Sequence, residues 1–179
     1  MDTATAFLDR SRHYLAFEYP TKIARCLDVL PPAALWRRPD EQSNSVGNLL
    51  LHLAGNVRQW IISSVGGASD SRHRSGEFAA RTGSDAATLF AALSATLHEA
   101  DDIIGTLTAA RLLERRTIQG RDVSVLDAVY HVVEHFSLHT GQIILLTKLH
   151  APGHIRFYED AGGLAIPRWR SGPARERAG

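Results

Sequence analysis

The chain has 179 residues, with 20 Lys and Arg against 19 Asp and Glu and a formal net charge of +1. That length supports one sizeable hydrophobic core and would cramp two, while the balanced charge and ordinary apolar share exclude a disordered chain and argue against a nucleic-acid partner. Cys26 is the only cysteine, no apolar run approaches the roughly 18 residues that span a bilayer, and the first twenty residues carry charges throughout, unlike a signal peptide, so a cytoplasmic protein with no membrane partner is expected.

The first helix is expected over about residues 2–30. Phe7, Leu8, Tyr14, Leu15, Ile23, Leu27 and Leu30 recur at near-helical spacing, Pro31-Pro32 stops the pattern, and Pro20 predicts a kink or break near Tyr19. Residues 31–44 are turn-rich and hold Trp36, which fits a lid or an anchor. Ser43, Asn44 or Ser45 caps a second helix over about 46–65, and Gly66-Gly67 closes it. Residues 66–83 are polar and rich in Gly and Ser, and read as a mobile surface connection. Ser84 or Asp85 caps a third helix to about Ala110, with Leu89, Leu93, Leu97, Ile104 and Leu107 inward and Glu99, Asp101 and Asp102 outward.

Residues 114–123 carry a Gly turn and read as a tight loop or small hairpin. The fourth helix, from Ser124 to about His150, is the most apolar. After Pro152-Gly153 the tail reads as irregular, docked through Phe157, Tyr158 and Trp169 and then fraying. No strand-like alternation of any extent is visible. The expected fold is all-α: one four-helix bundle over residues 1–160, followed by an irregular, flexible tail over 161–179.

Nine histidines are present, and their placement matters more than their number. His131, His135 and His139 follow at steps of four, so each lies about 40° around the helix and about 6 Å along it from the last. The polar line of this helix, Asp127, Glu134, Gly141 and Lys148, runs about 80–140° away from His135, so the histidine stripe faces the bundle interior or a cleft edge. On the second helix Ser45, Asn48, Asn56, Gln59 and Ser63 fall within about 40° of His52, while Leu50, Leu53, Val57 and Ile61 occupy the far side. A polar column without a single charge resembles a pocket lining rather than a solvated face.

A lone H-x-x-x-H occurs on many ordinary helices. The inward stripe and the uncharged column together point to a metal site. Metal–nitrogen bonds near 2.1 Å bring ligating nitrogens within about 3–4 Å of one another. His131 and His139, about 12 Å apart along the axis, cannot share an ion. The ligating pair is therefore His131 with His135, or His135 with His139.

The stretch HFSLHTGQIILLTK (residues 135–148) resembles the H-x-x-x-H-x-G-Q helix of the DinB/YfiT-like superfamily of metalloenzymes. NSVGNLLLHLAGNVRQWI (residues 44–62) resembles the helix that carries the superfamily's first histidine ligand. Within that group the chain is most similar to the DUF1572 branch, in which GN motifs surround that histidine and a lysine and an FY segment follow, here Lys148 and Phe157-Tyr158. The resemblance covers both motif helices and, in element order and length, the whole chain. It implies a four-helix bundle, commonly a homodimer, binding one divalent ion through His52, His135 and His139. His131 then lines the pocket with Gln59. Gln142 orients an imidazole or joins two helices, and Asn48 and Asn56 are candidate partners for the second nitrogens of the ligands.

Three neutral imidazoles leave the ion's charge uncompensated and a coordination position open, a Lewis acid that activates a bound thiol or water. Zinc, nickel, iron or copper suits such ligands. The superfamily's thiol S-transferases and maleylpyruvate isomerases suggest a low-molecular-weight thiol as cosubstrate, attacking a small electrophile. Hydrolysis of a small amide or ester is an alternative, and a non-catalytic metal-stabilised binding or stress-response module is another. Hydrolysis needs a general base, and Glu134, roughly 100° from the histidine stripe, is poorly placed, which favours thiol chemistry. Cys26 sits among Ile23, Leu27 and Leu30 and reads as a small core residue. Ser11, Ser94 and Ser137 lack a nucleophile context, and His73, His98, His150 and His154 read as exposed. Arg58 and Trp60 flank the polar column, with packing the reading for Trp60. Arg168, Arg170, Arg175 and Arg177 are too sparse for a nucleic-acid site.

Overall fold

The computed structural model describes residues 1–169; Arg170, Arg175, Arg177 and the expected fraying of the last residues lie outside them. The protein is mostly helical, with two small two-stranded sheets. In chain order α1 is Thr3–His13, α2 Tyr19–Val29, α3 Val46–Val57, α4 Arg74–Ala79, α5 Ala86–Gly105, α6 Ala109–Leu112 and α7 Val125–His150. The strands are β1 Arg115–Ile118, β2 Arg121–Ser124, β3 Tyr158–Ala161 and β4 Leu164–Pro167.

The first expected helix exists, and Pro20 does not break it. A π-helical turn, Tyr14–Glu18, joins α1 to α2 immediately ahead of Pro20, so the irregularity expected near Tyr19 takes the form of a widened turn and the chain stays helical past a residue with no N–H to donate. A second π-turn, Arg58–Ser63, extends α3 and keeps Trp60, Ile61 and Ile62 buried together. Of the candidate caps, Ser45 closes a box with Asn48 at the start of α3 and Asp85 caps α5; Ser124, expected as the first residue of the fourth helix, forms a box with Asp127 on α7. The third helix ends at Gly105, short of Ala110, and the separate turn of α6 follows.

α2 packs on α7, α3 on both α5 and α7, and α1 on α5. Between them Ile23, Leu49, Leu50, Leu53, Leu93, Ile104, Phe136 and Ile143 are fully buried. Burying a side chain of this size stabilises by roughly 1.5–3 kcal/mol before conformational entropy is charged against it. This core pins α3 and α7 side by side. No helix among the described residues is long and apolar enough to cross a membrane.

Two expectations are corrected. The tail beyond residue 160 is not irregular throughout its described part: β3 and β4 pair antiparallel around Gly162 and Gly163, both at positive φ, a turn that matches strand twist. Every strand residue there except Pro167 is exposed, so no buried alternation marked it. Phe157 and Trp169 anchor this hairpin from the core side, whereas Tyr158 is half exposed. Residues 114–123 do form the small hairpin, β1–β2, around Gln119 and Gly120, both at positive φ, with Ile118 buried beneath it.

The second correction concerns residues 66–83. This segment is tied down rather than loose. Ser63 donates to the carbonyl of Ser69, Gln59 to Asp70, Asn48 to the carbonyls of Glu77 and Ala80, and Arg38 to the carbonyl of Phe78. Glu77 is buried, and only 2 % of the Arg72 side chain is exposed. Trp36 serves as the anchor at the segment's far end, where its indole N–H donates to the carbonyl of Ser84.

Candidate metal centre

The local sequence aims three imidazoles at one point. His52, in the middle of α3, is 4 % exposed. His135 and His139, one turn apart on α7, are half-buried. His52 Nε2 lies 3.0 Å from His135 Nε2, and His139 Nε2 lies 3.2 Å from the same atom. One nitrogen from each of the three residues falls within 4.8 Å of the other two. Four-coordinate geometry with bonds of 2.0–2.1 Å places neighbouring nitrogens about 3.3 Å apart.

The remaining ring nitrogens fix the tautomers. His52 Nδ1 is 2.8 Å from Glu77 Oε2 and His139 Nδ1 is 2.7 Å from Gln142 Oε1. Both partners accept, so both Nδ1 atoms carry the hydrogen, and both Nε2 atoms present lone pairs toward His135. His135 can offer its single hydrogen to only one of them. Three ring nitrogens close to one another, with too few hydrogens to join them, form a donor set that a cation could complete. His135 Nδ1 is buried and makes no hydrogen bond among the described residues.

Electrostatics favours the neutral forms of His135 and His139. Burial, reinforced by His139, His52 and His131, pushes the His135 imidazole down to about 3. Burial also lowers His139, against the opposing effect of its bond to Gln142. Neutral imidazole is the form that ligates a metal. The three histidines could hold a metal ion, and their donor set fits one.

The other expected site residues divide clearly. His131 stands apart: its ring packs on Trp60 at 4.0 Å between centroids, and its Nε2 lies 3.3 Å from Asn56 Nδ2. Gln142 meets His139. Asn48 and Asn56 do not meet the second nitrogens of the three clustered histidines: Asn48 caps α3 and holds the backbone of α4, and Asn56 faces His131. Gln59 accepts from Arg72 at 3.0 Å and from Gln119 at 2.7 Å. Glu134 is exposed, and so is His98, on the outer face of α5. Cys26 is fully buried.

Glu77, Arg72 and Phe78 are the residues that sequence reasoning missed. Arg72 Nε and Nη2 reach the two Glu77 oxygens at 2.7 and 2.9 Å, and Arg72 Nη2 also lies 3.1 Å from His52 Nδ1, so both N–H groups converge on Glu77. Burial pushes the Glu77 carboxyl up, but bonds from Arg72 and His52 outweigh it and hold it below the usual carboxylate range. The Phe78 ring covers His52 at 4.5 Å between centroids. One sequence signal existed: Glu77 and Phe78 are an acidic and an aromatic residue inside an otherwise Gly/Ser/Arg-rich run.

No curated protein matches the chain. Residues 2–158 match the family described as "Protein of unknown function (DUF1572)". With that match spanning both histidine helices and nearly all of the described fold, the chain belongs to the DUF1572 family.

Proposed function

We propose that the protein is a divalent-metal-dependent enzyme of the DinB-like superfamily, a four-helix bundle whose His52, His135 and His139 hold one zinc, nickel or iron ion and whose chemistry is thiol transfer to a small electrophile. The convergence of three Nε2 atoms, with two of the opposite nitrogens already hydrogen-bonded, carries this reading. A bound ion would supply Lewis-acid character that lowers the pKa of a thiol or water.

The chain's own residues supply positioning. Glu77 and Gln142 fix the orientation of His52 and His139, Phe78 packs against the His52 ring, and Trp60 packs against His131 beside the cluster. A cavity of about 330 Å³ opens beside Gln142, lined by Pro39, Asn44, Leu49, Leu145 and Leu149 among others, and suits the apolar part of a small substrate. Thiol chemistry is favoured over hydrolysis because, among the described residues, no unengaged carboxylate lies at the Nε2 side: Glu77 is held at His52 Nδ1 by Arg72, and Glu134 is exposed. Exposed Tyr130, Leu138, Leu145 and Leu149 along α7 support a homodimer as the assembly.

The test is an assay of metal-loaded and chelator-treated protein with bacillithiol, mycothiol or glutathione and a reactive electrophile. Turnover that appears only with metal and thiol together is expected. Metal-dependent ester or amide cleavage without thiol would replace this reading with hydrolysis, and inactivity with every thiol alongside tight binding of a protein would favour the non-catalytic module.

A further inference from the structure

The two glycine–asparagine pairs that flank His52 have different tasks, and the second exposes a device outside the three histidines. A Cβ on Gly47 would sit 2.7 Å from the Trp36 ring. A Cβ on Gly55 would fall onto Oε1 of Glu77, well inside van der Waals contact, and 3.1 Å from Arg72 Nε. Gly55 lies inside α3, where glycine costs about 1 kcal/mol against alanine. Its absence of a side chain makes the pocket that the Glu77 carboxylate fills, three residues along from His52 on the same helix.

We propose that Glu77 is a positioning residue that sets the metal affinity of the histidine centre from outside it, and that Gly55 is a glycine in order to admit this carboxylate. Glu77 Oε2 takes the His52 Nδ1–H at 2.8 Å, which locks the ring with Nε2 facing His135. Lying at the nitrogen opposite Nε2, the carboxylate is an orienting group and not a ligand. Arg72 pairs with both Glu77 oxygens, so the carboxylate's charge is balanced locally and the ion's own charge stays available for Lewis-acid chemistry. Arg72, Glu77 and Phe78 all come from residues 66–83, and Asn48 clamps this segment through two backbone carbonyls. The segment is therefore a built part of the centre. The proposal rests on the metal-site reading above.

The experiment compares full-length wild type with Glu77→Gln, Glu77→Ala and Gly55→Ala. Zinc affinity is measured by competition with a chromophoric chelator, and the His52 tautomer by ¹⁵N NMR of the metal-free protein. Glu77→Ala should lose about 10–100-fold in affinity, the scale typical of lost partners of ligating histidines. Glu77→Gln, whose amide oxygen still accepts the N–H, should recover part of that loss. Gly55→Ala, which removes no polar group, should weaken binding like Glu77→Ala. In the metal-free wild type His52 should be the Nδ1–H tautomer, and that preference should vanish in Glu77→Ala; Glu77→Gln and Gly55→Ala carry the test if Glu77→Ala does not fold. Wild type that binds zinc while all folded variants bind it equally, with the tautomer unchanged, overturns the role of Glu77. Wild type that binds no zinc but shows the Glu77-dependent tautomer overturns the metal reading instead.

Discussion

His139 Nδ1 and Gln142 Oε1 lie 2.7 Å apart, one helical turn from each other on the solvent side of α7. The contact costs the fold little, because Gln142 is exposed. Its consequence is confined to the orientation of one imidazole. Gln142→Met should weaken metal binding by about 10-fold or somewhat more, while the melting temperature of the metal-free protein stays within the scatter of a surface substitution. Chelator competition and thermal unfolding on the same samples check both halves.

Acid should destabilise the metal-free protein through its buried imidazoles. Folding holds His135 neutral down to about 3, against an ordinary value of 6.5. Between those values the unfolded chain binds the additional proton. Stability present above pH 6.5 is therefore lost progressively as the pH falls toward 3. Denaturant midpoints of metal-free wild type should fall between pH 7 and pH 5, and those of His135→Leu should fall less steeply. Parallel slopes would contradict the assigned burial of His135.

Gly47→Ala is expected to destabilise even though alanine is the better helix former. The new Cβ would meet three atoms of the Trp36 ring at 2.7–2.9 Å, and a rigid indole yields less readily than a flexible side chain. Overpacking of this kind costs about 1–3 kcal/mol, or ~2–12 °C in melting temperature for a chain of this size. Scanning calorimetry measures the shift directly.

Cys26 should be inert in the folded protein. It is fully buried, and burial pushes its thiol up to about 11, against smaller opposing effects of Thr147 and Lys148. An aromatic disulfide reagent should release no chromophore from native protein at pH 8 and one equivalent after denaturation. Rapid reaction in the native state would place Cys26 at the surface and make it a candidate nucleophile. Inertness leaves the thiol of the proposed reaction to come from outside the chain.

Much of the site was legible because helical periodicity is a strong local constraint. Steps of four put His135 and His139 on one stripe, and the uncharged column around His52 marked a face that does not meet bulk water. Spacing alone left His131 and His139 equal as partners of His135. What separates them in the structure is the π-turn that keeps Trp60 inward, where its ring occupies the face of His131, and no periodic pattern encodes that packing. Glu77 was hidden for a different reason. Its segment has the composition of a loop, and its order comes from long-range polar contacts to Asn48, Arg38 and Gln59, which leave no local signature.

The same distinction explains the tail. Four-residue strands exposed on both faces carry no alternation for a sequence reading to find, and only Gly162-Gly163 hinted at a turn. The helices, by contrast, announced themselves through Leu, Ile and Phe positions that the core then buried.

Metal content is the most direct test of the metal centre. Protein purified without added chelator should carry about one divalent metal ion per chain by inductively coupled plasma mass spectrometry, as one ion per three-histidine set requires. His135 stands between both short contacts, to His52 and to His139, so His135→Ala should carry little. Equal metal in the two proteins would contradict the assignment of His135 and the mechanism built on it.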